Sequence, residues 1–260
     1  MPLNNNRGRT NQQANSQQIV KGKVVYSNIR PQDKDGWIYV MSPESPTGYD
    51  NIHENIKLLI LREDKGRVYY KVLSDRADLI GKEISLKKEN ALLCTHKGGP
   101  VQENAILKVK YRGKPVDKKS PFQKKILTQQ FAVLSVNGFN IIVTLNTAIS
   151  PYYENTPHTP IPPGTHKIRS PDYSHKNEGP TEGYRDAFPP GTITRNDIWF
   201  PIELEGTHVN SSRYVHLGSV SHGCVTIYEI EKWNIVYNYL ISHRIPGTNG
   251  KYIGQLIVEE

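Results

Sequence analysis

Ser221-His222-Gly223-Cys224 carries the residue types for nucleophilic chemistry, and His208 and His216 stand just upstream. Cys224 is one of only two cysteines in 260 residues. A thiol attacks strongly as the thiolate, and a nearby imidazole or helix N-terminus lowers its pKa. His208, His216 and His222 supply imidazoles within this window. Gly223 lets the chain turn sharply and lets a substrate carbonyl come close to main-chain N–H groups. These residues suit acyl transfer. Taken alone, Cys224 reads as a small buried apolar residue, a histidine as a surface or hydrogen-bonding group, and Arg213 as a solvated strand residue.

The elements that must position them follow from pattern. Ile198–Leu204 and Arg213–Leu217 read as strands, separated by the turn-rich Gly206–Ser212. Gly218-Ser219 breaks the second strand. Ile230, Trp233, Val236, Tyr237, Leu240 and Ile241 recur at helical spacing. This places His216 near a strand end and Cys224 on a turn leading toward a helix. The helix dipole would then favour the thiolate, and free N–H groups there could bind an oxyanion.

Ser221-His222-Gly223-Cys224-Val225 resembles the signature of the L,D-transpeptidase catalytic domain (YkuD-like), Ser/Thr-x-Gly-Cys-apolar with an upstream His. Phe131–Leu145, a hairpin around Asn137-Gly138, agrees with it. Thr159–Ile168 resembles the family's Thr-Pro-x-Gly-x-Tyr-x-Ile segment, with a two-residue insertion and His166 for Tyr. The resemblance covers residues 105–260. It departs at Thr226, where the family carries Arg or Asn, and at His208, which lacks the following Gly-Thr. His216, in a His-x-Gly segment, resembles a shorter-spaced branch.

The resemblance implies that Cys224 attacks an amide of a peptidoglycan stem peptide, with His216 as base and His208 as the alternative. Ser221 would orient the imidazole or contact substrate. N–H groups near Gly223 and Cys224 would hold the oxyanion. His222, Arg213 and Tyr214 would belong to the substrate pocket. An amine acceptor gives cross-linking or D-amino acid exchange; water gives an L,D-carboxypeptidase. No metal or organic cofactor is implied. A zinc site at His208, His216, His222 and Cys224 is the rival chemistry, but the spacing fits no zinc pattern. The non-enzymatic rival is a wall-binding or secretion-associated structural protein with an inert thiol.

Composition frames this reading. The net charge of +8 suits anionic surroundings such as a cell wall. No nucleic-acid fold signature appears, and Lys108–Lys114 reads as a solvated face or interdomain segment. No run approaches the ~18 apolar residues that span a bilayer. The first twenty residues lack the apolar core of a secretory signal. Action in the periplasm or cell wall would therefore call for a trimmed signal or specialised secretion machinery. The latter would make the chain an antibacterial effector with an immunity protein as partner.

The expected fold is mainly β. Residues 1–18 read as a disordered tail, 19–104 as a small β-rich barrel or sandwich, and 105–260 as an L,D-transpeptidase-like β-sandwich with one helix after the nucleophile. Lys23–Ser27, Gly36–Met41, Ile56–Arg62, Arg67–Leu73 and Glu83–Leu86 read as strands. Cys94 reads as a buried residue at a strand end; a bridge to Cys224 would silence the nucleophile. The Pro-, Gly- and Tyr-rich residues 146–197, with Tyr152, Tyr153 and Tyr173, read as a lid or substrate groove.

Overall fold

Alternating burial along short strands builds both halves of the molecule. The computed structural model describes residues 19–30, 33–122, 124–148, 159–177, 179 and 181–260. The proposed tail, Tyr152 and Tyr153 lie outside the described residues.

The first unit contains β1 (Val24–Ser27), β2 (Ile38–Met41), β3 (Tyr49–Ile52), β4 (Lys57–Asp64), β5 (Arg67–Val72) and β6 (Glu83–Lys87). A short helix α1 (Lys88–Leu93) and β7 (Thr95–His96) complete it. The strands form one antiparallel sheet in the order β3-β2-β6-β5-β4-β1-β7. Leu58, Ile60, Val68, Tyr70, Val72 and Ile84 point into its core. Cys94 caps α1 rather than ending a strand, and is buried in that core.

The second unit runs β8 (Ala105–Tyr111), β9 (Val116–Lys119), β10 (Ile126–Val136), β11 (Phe139–Ala148), β12 (Gly164–Arg169), α2 (Glu182–Asp186), β13 (Phe200–Glu203), β14 (Arg213–Leu217) and β15 (His222–Ile227). A 3-10 turn at Ile230–Lys232, helix α3 (Trp233–Ile241) and β16 (Tyr252–Glu259) follow. Asn137 and Gly138 both take positive φ, as a tight two-residue hairpin loop between β10 and β11 demands. The sheet order is β11-β15-β14-β13-β12-β16-β8-β10, and β10 pairs back onto β11. The sheet therefore closes on itself like a barrel, and the unit is mainly β as expected. The segment read as a solvated lysine face is β8, with Leu107 and Val109 buried and Lys108 and Lys110 exposed. The stretch read as a long irregular lid contains β12 and α2.

The two units share a packed junction. Trp37 of the first unit is 1% exposed and packs within the apolar core of the second. Its indole N–H donates to the Asp197 carbonyl at 3.2 Å. Tyr237 Oη donates to Glu54 at 2.8 Å, and Asn55 Nδ2 to the Ile241 carbonyl at 3.1 Å. Arg244 and Asp75 form a buried ion pair across the same junction. No helix among the described residues is long and apolar enough to cross a membrane.

Candidate active site

Strands β14 and β15 lie side by side and parallel, with Val215 opposite Val225 and His216 opposite Thr226. A parallel crossover ordinarily takes a dozen or more residues. Here only Gly218–Ser221 lie between the two strands. Ser221 pins this short return: its hydroxyl donates to the Cys224 carbonyl at 2.8 Å, and its N–H donates to Thr147 Oγ1 at 3.0 Å. Ser221 thus fixes the main chain around Cys224, its hydroxyl engaged by the Cys224 carbonyl rather than by an imidazole.

Cys224 sits inside β15, not on a turn into a helix. The chain turns helical only at Ile230, so the helix that follows does not start at Cys224. The backbone at Cys224 is nonetheless irregular. Against β11 the register jumps from Thr144–Thr226 to Asn146–His222, so Gly223, Cys224 and Val225 bulge past a single residue, Leu145. Bulges of this kind re-aim side chains and are enriched beside active sites. Gly223 has φ +93°, and a Cβ there would meet the Thr159 carbonyl oxygen at 2.6 Å. The segment starting at Thr159 therefore lies directly against the bulged start of β15.

Because side chains alternate along a strand, Cys224 and Thr226 share one face of the pair with Tyr214 and His216, while Val215, Leu217, Val225 and Ile227 enter the core. His216 Nδ1 donates to the Leu217 carbonyl at 2.9 Å, because a carbonyl can only accept. Its Nε2 is then the basic nitrogen, and it accepts from the Thr226 hydroxyl at 3.1 Å. The imidazole also stacks on Trp199, centroids 4.1 Å apart, and Trp199 stacks in turn on His175 at 4.4 Å. His175 contacts Asp172 at 3.1 Å and stacks on Tyr173 at 4.2 Å, while Tyr214 packs edge-on against His175.

Burial dominates the electrostatics. It pushes the Cys224 thiol up to about 11, against weaker stabilisation of the thiolate by the Tyr214 backbone and the Arg213 guanidinium. It pulls His216 down to about 4. At neutral pH the pair is thiol and neutral imidazole, not the preformed thiolate expected from sequence. Arg213 is half-buried rather than solvated; its Nη2 donates to Thr159 Oγ1 at 3.1 Å, and its Nε is buried without a partner among the described residues.

The structure thus brings together Cys224, His216, Tyr214, Arg213, Gly223 and Ser221. His208 is exposed on the loop between β13 and β14, and the His222 side chain is exposed on β15. Cys94 and Cys224 are both free thiols, each in a different unit. Among the described residues no group of three or more His, Cys, Asp or Glu side chains is arranged to hold a metal ion. His166, standing where the resemblance has Tyr, ties loops together: its ring nitrogens meet the Pro162 carbonyl at 2.8 Å and the Glu205 N–H at 3.0 Å. Sequence reading missed Thr226, Trp199 and His175. Thr226 was legible as the residue two past Cys224 on the same strand face; the other two come from distant segments with no motif. Comparison with family models, curated proteins and solved structures returned no match.

Proposed function

We propose that this chain is a cysteine acyltransferase acting on peptidoglycan stem peptides, as an L,D-transpeptidase, L,D-carboxypeptidase or D-amino acid exchange enzyme with an L,D-transpeptidase-like second unit. The observation that carries this reading is the shared face of β14 and β15, with His216 and Cys224 on neighbouring strands and Arg213 beside Gly223.

The neutral resting pair sets the chemistry. As the Cys224 sulfur attacks the amide carbonyl, its proton passes to His216 Nε2, which must first lose the Thr226 hydroxyl. The carbonyl π electrons move onto oxygen. Main-chain N–H groups in the bulge and the Arg213 Nε, which has no partner among the described residues, are the donors for that oxyanion. Collapse breaks the C–N bond, the imidazolium protonates the leaving amine, and a thioester remains on Cys224. An incoming amine or water, deprotonated by His216, then releases the acyl group. The excess of Lys and Arg favours a polyanionic wall as the place of action, in the periplasm or cell wall. Delivery by specialised secretion, with an immunity protein as partner, belongs to the same reading.

A second reading has its own observation. Cys224 is 7% exposed and its ionisation is suppressed, as suits an inert thiol in a wall-binding or secretion-associated structural protein. Mass spectrometry of purified muropeptides incubated with the chain and with Cys224→Ala separates the two. New cross-linked, trimmed or exchanged products with the chain alone support the enzyme. No products from either folded protein favour the structural role.

A further inference from the structure

Arg244, near the end of the chain, is 3% exposed yet incompletely partnered. Its Nε engages Asp75, and its Nη1 donates to the carbonyls of Ile241 at 2.9 Å and His243 at 2.6 Å. Its Nη2 is buried with no partner among the described residues. A buried charged donor left unpaired is costly, so such a group points to a missing acceptor. Arg244 lines a cleft of about 470 Å³ between the two units.

The other walls define what that acceptor would be. Lys57 adds a second cation and has no ion pair among the described residues. Asp75 cancels one charge, but it is already engaged by Arg244 and by the Ser74 hydroxyl. Gly250 closes over it: a Cβ there would lie 2.7 Å from the carboxylate. The cleft therefore presents one net positive charge, together with the amides of Gln102 and Asn249. Guanidinium and ammonium groups recognise carboxylates and phosphates alike, and one net positive charge matches a singly charged carboxylate better than a doubly charged phosphate. The volume falls at the small end of ligand pockets, the size of an amino acid or short peptide terminus.

We propose that this interdomain cleft binds a small ligand through one carboxylate, held by Arg244 and Lys57. The site is separate from Cys224 and independent of the chemistry proposed there.

Calorimetric titration of the full chain carrying Cys224→Ala tests it, because any signal then arises without the thiol. The probes are N-acetylglycine, its amide, and N-acetyl-triglycine with a free or amidated C-terminus. The acids should bind saturably, and the amides at least tenfold more weakly. Tight binding of the tripeptide acid would identify a peptide terminus as the source, whereas preference for N-acetylglycine would identify a free acid. Arg244→Gln alone would strand the Asp75 carboxylate, so the decisive variant is Lys57→Gln, with Asp75→Asn/Arg244→Gln as the charge-balanced companion. Lys57→Gln should weaken the acids at least threefold, and the double variant should abolish binding. Equal binding of acids and amides, no binding of either, or unchanged affinity in Lys57→Gln would overturn the proposal.

Discussion

Thr226 Oγ1 donates to His216 Nε2 at 3.1 Å, so the nitrogen that would accept the Cys224 proton is occupied at rest. The ring has two other restraints, the Leu217 carbonyl on Nδ1 and the face of Trp199. Thr226 is therefore a competitor for the base more than its anchor. Thr226→Val should speed alkylation of Cys224 by about 2–10-fold, the worth of one net hydrogen bond. It should also lower stability, since Nε2 loses its partner. Iodoacetamide kinetics and urea unfolding of the variant check the two effects; slower alkylation would make Thr226 a positioning residue instead.

The thiol should show a late pH profile. With Cys224 pushed up to about 11 by burial, the thiolate fraction is small at pH 7 and grows tenfold per pH step until it levels near pH 11. Alkylation rates between pH 6 and the onset of alkaline unfolding should rise steadily. A plateau below pH 8 would mean that a cation holds the thiolate more firmly than burial opposes it.

His216 should make the fold acid-sensitive. Its pKa falls from the ordinary 6.5 to about 4 because burial disfavours the imidazolium. Between those values the unfolded chain binds the extra proton, so stability rises with pH through this window and is lost on acidification. The contribution is about 3 kcal/mol. His53, fully buried and also lowered, acts in the same direction, whereas Asp197, raised to about 6, acts oppositely. Comparing chemical denaturation of the chain and His216→Phe at pH 7 and pH 4.5 isolates the one residue. The variant should start less stable, with the Leu217 carbonyl and Thr226 hydroxyl unpaired, yet lose less on acidification.

Gly223 has no room for a side chain. Gly223→Ala would force a non-glycine residue into φ +93° and drive a methyl against the Thr159 carbonyl. A cost of about 1–3 kcal/mol is expected from such backbone strain. Urea unfolding should register that loss, and muropeptide turnover, if present, should fall with it. A variant as stable and as active as the parent would show that the Thr159 segment moves aside freely.

Much of this fold is written in local chemistry. The Asn137-Gly138 turn and the alternation in β4 and β5 were readable because a strand's burial pattern is written in adjacent residues. Barrel closure was not, since it depends on β16 meeting β8, and β11 meeting β15, across long stretches of chain. Gly223 misled the reading at the site: a glycine before Cys224 looks like a turn into a helix, but it serves a bulge inside a strand. The ionisation of the thiol was also hidden, because burial is a property of the packed barrel and not of the four-residue motif.

Trp37 makes the two halves mechanically inseparable. Its indole fills a socket that belongs to the second unit, so removing residues 19–104 would leave an apolar hole in that unit's core. A truncated second unit should be sticky and prone to clump, whatever its catalytic residues. By the same logic, a tug on the first unit would be transmitted straight into the barrel, and the whole chain would come apart in one step rather than two.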